Sequence, residues 1–188
     1  WRDQALALAG EAQLLAGDPD RAEALFVESV AAADGYDNAD AIVLGLSELA
    51  VLAMDDGRWT EAAAHLDRAL AAIDDHRMYD YATSVLAFAG AARLAVHRGD
   101  LDEASRQLTH AMRGRPACTF ALPFVAVRVR LQLAKVHRAI GDPTTARHLL
   151  REVDDVLLHR PALGRLVDEV SEFRGSLTSG VQVGATGG

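Results

Sequence analysis

Small and large apolar residues recur at fixed distances from four evenly spaced glycines. The glycines are Gly17, Gly57, Gly99 and Gly141, spaced 40, 42 and 42 residues apart. Each has a small residue seven positions before it, an alanine five positions after it and a large apolar residue nine positions after it. Glycine readily ends a helix in the left-handed conformation, and aspartate, a favoured N-cap, follows three of the four. Each glycine therefore predicts a turn between two helices.

The apolar spacing between these turns predicts nine helices. Their expected bounds are 2–16, 19–33, 38–56, 59–75, 79–98, 101–113, 120–140, 143–159 and 162–174. Small residues on both helices of a pair allow close antiparallel packing, and the large residue fills the groove between neighbours. We therefore expect an all-α, right-handed superhelix of about four helix pairs plus a terminal helix, which caps or continues the stack.

The chain divides into two predicted segments. Residues 1–174 form one helical repeat domain, whereas residues 175–188 hold five of the fifteen glycines and no charged residue. That composition is typical of a flexible Gly/Ser/Thr linker or tail. Since the chain opens at Trp1, in what already reads as helix, we expect it to be a piece of a longer protein.

Each repeat has, in order, a small residue, the glycine, an alanine, a large apolar residue and, twelve positions after the glycine, a mostly small residue. This order resembles the tetratricopeptide repeat over about residues 3–160. Two departures are visible. The period exceeds the usual repeat length of about 34 residues. In addition, Arg130 occupies a position that is apolar in the other repeats. The resemblance implies a helix–turn–helix unit that stacks into a superhelix.

Alanine-rich, arginine-rich arrays with this period resemble the sensor region of the MalT-like group of bacterial LuxR-type transcriptional regulators. The phrases LAGDPDRAEAL and HRGDLDEASRQL are typical of that group. The resemblance implies an ATPase domain before the repeats, a helix-turn-helix domain after a short linker, and repeats that hold the inducer site or mediate assembly.

Composition indicates the kind of organism and the cell compartment in which the protein works. The basic residues are 18 arginines and a single lysine, a usage typical of GC-rich bacterial genomes. The single cysteine, Cys118, fits a reducing cytoplasm, and we find no signal-peptide pattern or membrane-spanning apolar run. The net charge of −8 disfavours direct DNA binding by this fragment. We therefore expect a cytoplasmic bacterial protein.

The search for catalytic motifs is negative. No G-x-x-x-x-G-K-[ST], G-x-G-x-x-G or G-x-S-x-G motif is present. The seven histidines lack the spacing of metal ligands, and Cys118 has no CxxC partner. The sequence therefore predicts no catalytic residues, no metal site and no cofactor, and a non-enzymatic protein.

Charge is distributed unevenly. Residues 1–80 carry 17 acidic and 5 basic residues, and residues 81–188 carry 10 acidic and 14 basic ones. In tetratricopeptide stacks the first helix of each repeat lines the concave groove. Five basic side chains of such helices are predicted to share one wall of it: Arg93, His97, Arg128, Lys135 and Arg138. This wall would bind an anionic ligand, an acidic peptide or a domain of the same protein. The alternative is an ordinary solvated face.

Two functions remain open at this point. The first is a non-enzymatic sensor and assembly module of a LuxR-type regulator. Its groove would take a small-molecule inducer or a protein or peptide, and it would contact other domains of the parent protein or a second copy of itself. The second is a protein–protein scaffold of another bacterial signalling protein. An all-α enzyme is disfavoured because no convergent polar cluster is apparent.

Overall fold

The structure is a computed structural model that describes residues 1–36 and 38–179. This part of the chain contains helices and no strands. The helices are α1 Arg2–Ala16, α2 Pro19–Asp34, α3 Ala39–Asp55, α4 Trp59–Asp75, α5 Ala82–Arg98, α6 Leu101–Gly114, α7 Pro123–Ala139, α8 Pro143–His159 and α9 Gly164–Ser179. A short 3-10 helix, Arg115–Ala117, follows α6. The predicted all-α repeat fold is confirmed.

The four glycine turns adopt the predicted conformation. Gly17, Gly57, Gly99 and Gly141 have φ angles of 85°, 76°, 75° and 83°, in the left-handed region. The aspartates that follow three of them cap the next helix through their side chains, which accept hydrogen bonds from backbone N–H groups at 2.9–3.0 Å. Local sequence therefore sets these helix boundaries.

Close packing joins the two helices of each pair. The alanine five positions after each glycine is buried in all four pairs. A Cβ added to Gly10 on α1 would lie 2.8 Å from the ring of Phe26 on α2, so only glycine fits there. Small residues thus bring the helices together, as the sequence pattern predicts.

The pairs stack side by side into two layers. Helices α1, α3, α5 and α7 are neighbours in the inner layer, and α2, α4, α6 and α8 pack behind them. Helices α3, α5 and α7 are buried over most of their length, whereas α4, α6 and α8 expose an outer polar face.

The terminal helix α9 takes an unexpected path. It packs against α7 and α8 but also against α1, at the other end of the stack. Rather than continuing the stack, it returns across the inner layer and buries Leu166, Val170 and Leu177. The predicted domain boundary at residue 174 falls inside α9, which reaches Ser179. Residues 180–188, part of the predicted linker, lie outside the described residues.

Candidate functional site

The five basic residues predicted for the groove do not form one unpaired wall. Arg128 on α7 is 3 % exposed and donates from Nε and Nη2 to Oε2 of Glu48 on α3, at 3.1 and 2.7 Å. Its Nη1 lies 3.7 Å from a carboxylate oxygen of Glu169 on α9. Burial raises the pKa of Glu48, although the charge of Arg128 opposes this. Arg128 is therefore a core residue that ties α7 to α3.

Two further cations share one carboxylate. Arg93 on α5 and Lys135 on α7 lie 2.7 and 3.2 Å from Oδ1 of Asp55 on α3. Burial alone would raise the pKa of Asp55, but the charges of Lys135 and Arg93 hold it below its ordinary value. Arg93 and Lys135 are thus already paired with an acid of this chain.

The remaining two residues contact aromatic rings. The imidazole of His97 stacks on the indole of Trp59, with ring centroids 3.6 Å apart, and Arg93 lies over the same indole. Arg138 donates to Oγ of Ser176 on α9 at 2.7 Å and lies over the ring of Phe173. Trp59, the first residue of α4, thus packs against His97 and Arg93 of α5.

Three of the five predicted residues do line a common cavity. Arg93, His97 and Lys135 line a cavity of about 230 Å³ beside Trp59, which is smaller than a typical small-molecule site. Arg128 and Arg138 are not among its lining residues. That arrangement leaves two paired cations and a stacked imidazole at its rim, and its binding role stays a prediction.

A larger cavity lies on the same inner face, closer to α1. Its volume is about 470 Å³, within the range of small-molecule sites. Every inner helix contributes to its lining, and the segment before α9 closes one side. Contributing side chains include Leu8, Glu11, Leu44, Thr83, Phe124 and Leu163. A molecule in this cavity would touch the whole stack at once.

The large cavity is apolar with an acidic edge. Its ionisable lining residues are Glu11 and Asp40, and no lysine, arginine or histidine joins them in the described part of the chain. Burial, helped by the charge of Glu48 and opposed by Arg128, raises the pKa of Glu11 from 4.5 to about 8. Oγ1 of Thr83 donates to Asp40. This cavity therefore favours an apolar or cationic occupant.

Some of these acidic residues can be placed from the sequence. Glu11 and Asp55 fall at positions that helical spacing assigns to the concave groove. Glu48 was missed, although it stands out as the single carboxylate in the apolar run LGLSELAVLAM. Its partner Arg128 is 80 residues away, so only the stacking of α3 near α7 reveals the pair.

The described residues offer neither a metal site nor a membrane-spanning helix. They contain no group of three or more His, Cys, Asp or Glu residues that could hold a metal ion. None of the described helices is both long enough and apolar enough to span a bilayer. Cys118 is buried, and burial raises the pKa of its thiol to about 11, which disfavours the nucleophilic thiolate.

Comparison with known proteins gives a family but no characterised relative. No curated protein matches the sequence. The family described as the MalT-like TPR region matches residues 1–174, which include all nine helices except the end of α9. Repeats of this kind generally serve as non-catalytic scaffolds for protein interaction or sensing. Together with the four glycine turns and the two-layer stack, this match shows that the chain belongs to the MalT-like TPR region family.

Proposed function

We propose that this chain is the ligand-sensing and assembly module of a cytoplasmic bacterial LuxR-type transcriptional regulator. Membership of the MalT-like TPR family supports this, as does the resemblance of its repeat phrases to the sensor regions of such regulators. In that protein, residues beyond α9 would lead toward a DNA-binding domain. The module itself would bind no DNA directly and catalyse no reaction.

The observation that carries the proposal is the 470 Å³ cavity on the inner face. An occupant would contact α1, α3, α5 and α7, together with Leu163 just before α9. Since α9 bridges the two ends of the stack, filling the cavity would bias both the curvature of the stack and the seating of α9. A signal could thereby reach the chain that follows.

A thermal-shift screen tests ligand sensing. The library contains sugars, amines, carboxylic acids and nucleotides, and the variant Ala121→Trp places an indole at the exposed rim of the cavity. Ala71→Trp, at an exposed site on α4, is the matched control. We expect at least one compound class to raise the midpoint of wild type and of Ala71→Trp but not of Ala121→Trp. The proposal fails if no class shifts wild type, or if Ala121→Trp responds equally.

The parent protein is tested by the reading frame around this chain. A phosphate-binding loop upstream and a helix-turn-helix segment downstream are expected for a LuxR-type regulator of this group. A cyclase or kinase domain at either side would instead support the scaffold alternative.

The scaffold alternative has one observation of its own. Arg93, His97 and Lys135 border the smaller cavity beside Trp59, where an acidic peptide or a second copy of the chain could compete with Asp55 for the two cations. Arg128 is excluded from this role because its guanidinium is buried against Glu48. Sedimentation equilibrium of wild type and of Lys135→Glu would detect self-association through this surface.

A further inference from the structure

The large cavity has a surplus of carboxyl groups at one edge. Glu11 on α1 lines it, and the charge of Glu48 on α3 acts on the Glu11 carboxyl. The nearby cation is Arg128, which also lies 3.7 Å from Glu169. One guanidinium therefore serves three carboxyl groups contributed by three helices.

Arg128 cannot satisfy all of these acceptors. Its Nε and Nη2 donate to the same oxygen of Glu48, Oε2, while Oε1 is buried and accepts no hydrogen bond from the described residues. The carboxyl group of Glu11, which is only partly buried, has no hydrogen bond or ion pair within 1–36 and 38–179, so it is open to a partner in the cavity. A buried acceptor without a donor, such as Oε1 of Glu48, is rare in folded proteins because its desolvation is uncompensated.

The rest of the cavity wall is apolar. Leu8, Leu44, Phe124 and Leu163 supply hydrocarbon surface to the same cavity that Glu11 and Asp40 line. A purely apolar occupant would leave Glu11 without a donor, and an anion would meet like charge. A molecule with a hydrocarbon body and a positively charged nitrogen would satisfy both parts of the wall.

We propose that the cavity binds a small organic cation, an amine with an apolar body, whose ammonium group pairs with Glu11 at the acidic edge of the cavity. This inference rests on the proposed ligand-sensing role and names the chemical class of the ligand. The hydrocarbon part contacts the apolar side chains of the inner helices and Leu163. Binding gives the unpaired carboxyl group of Glu11 an N–H donor.

Binding is coupled to the protonation of Glu11. The charged groups that face it are Glu48 from α3 and Arg128 from α7, with Glu169 from α9 beside Arg128 and Asp40 on the same cavity wall. Because the pKa of Glu11 is about 8 in the empty protein, pairing with an ammonium group releases a proton below that pH. Affinity therefore rises with pH up to about 8 and then levels off.

Three phenyl compounds of similar size test the ligand class by isothermal titration calorimetry. They are 2-phenylethylamine, 2-phenylethanol and 3-phenylpropanoate, which differ in the charge of the head group. We expect the amine to bind at least about tenfold more tightly than the other two at pH 8. Its affinity should rise by about tenfold between pH 6 and pH 7 and by about fivefold between pH 7 and pH 8, with about one proton released at pH 6 and about half a proton at pH 8.

Two variants locate the interaction. Glu11→Gln keeps the shape of the side chain and removes its charge, so it should weaken amine binding by about tenfold or more and flatten the pH profile. Glu28→Gln, at an exposed site on α2, is the control and should stay within about twofold of wild type.

The outcomes separate this inference from the proposed function. If the alcohol or the carboxylate binds as tightly as the amine, or if Glu11→Gln binds the amine normally, the cationic ligand class is wrong while ligand sensing can still stand. If the amine does not bind at millimolar concentration but another library compound shifts wild type and not Ala121→Trp, the cationic class is again refuted and the sensor role is kept. If no compound binds at all, both fail.

Discussion

Replacing Glu11 by glutamine should change how the stability of the protein depends on pH. In the folded chain, burial beside Glu48 raises the pKa of Glu11 from 4.5 to about 8. Between these two values the unfolded chain loses the Glu11 proton while the folded chain keeps it. The folded state then binds more protons than the unfolded state, so this group lowers stability as pH rises from about 4.5 to about 8.

The size of the effect follows from the difference in proton affinity. Each tenfold difference in proton affinity between the folded and unfolded states corresponds to about 1.4 kcal/mol. Glu11 therefore lowers the free energy of unfolding by at most about 3 kcal/mol at pH 7 and by less than about 1 kcal/mol at pH 5. Glutamine cannot ionise and pays no such cost. The free energy of unfolding of Glu11→Gln, relative to wild type, should therefore grow by about 2–3 kcal/mol between pH 5 and pH 7.

Urea denaturation at pH 5, 6, 7 and 8 measures this difference. The change with pH is the diagnostic quantity, because a constant offset also reflects packing of the amide. Glu48 and Arg128 are present in both proteins, so the comparison isolates Glu11 and its coupling to them. Glu28→Gln should run parallel to wild type. Parallel curves for Glu11→Gln as well would show that Glu11 ionises normally in the folded protein, and the reasoning would be refuted.

Three further substitutions test the packing. Gly164 has a φ of 47°, and a Cβ there would lie 2.9 Å from the carbonyl carbon of Leu15. Gly164→Ala should therefore cost at least about 1–2 kcal/mol and speed hydrogen exchange in the first turn of α9; unchanged exchange would contradict the docking of α9 on α1. Glu48→Leu leaves buried Arg128 with only the 3.7 Å contact to Glu169 and should cost about 3–5 kcal/mol by urea denaturation. A loss below about 1 kcal/mol would mean that Glu169 or water compensates for the missing partner. Ala104→Leu should overpack the α5–α6 pair and lower stability by about 1–3 kcal/mol, and an unchanged melting temperature would argue against close packing there.

Local sequence determined most of the helices. The bounds of α1, α4 and α8 are those expected from apolar spacing, because left-handed glycines end each first helix and aspartate or proline starts several second helices. Helix α7 begins at Pro123 rather than at residue 120, as suits a proline in the first helical turn.

The charges of the groove were decided by tertiary structure. Spacing placed Arg93, Lys135 and Asp55 on the inner helices, but their pairing depends on α3, α5 and α7 being neighbours. The sequence predicts a basic wall open to an anionic partner, whereas the structure pairs three of its five residues with acids of this chain and places the unpaired carboxyl group of Glu11 at the cavity. Long-range ion pairs leave no periodic trace in a sequence, because each partner satisfies only its own helix pattern.

The path of α9 was likewise settled only in three dimensions. Its apolar stripe predicts a helix that buries one face, but either the end of the stack or its inner face could cover that stripe. Small packing offsets between successive helix pairs add up to a curvature of the stack. This curvature brings α1 within reach of α9. The sequence thus determined the repeat unit and its turns. The closed inner face, with the cavity beneath Leu163, exists only because those units stack and α9 returns across them.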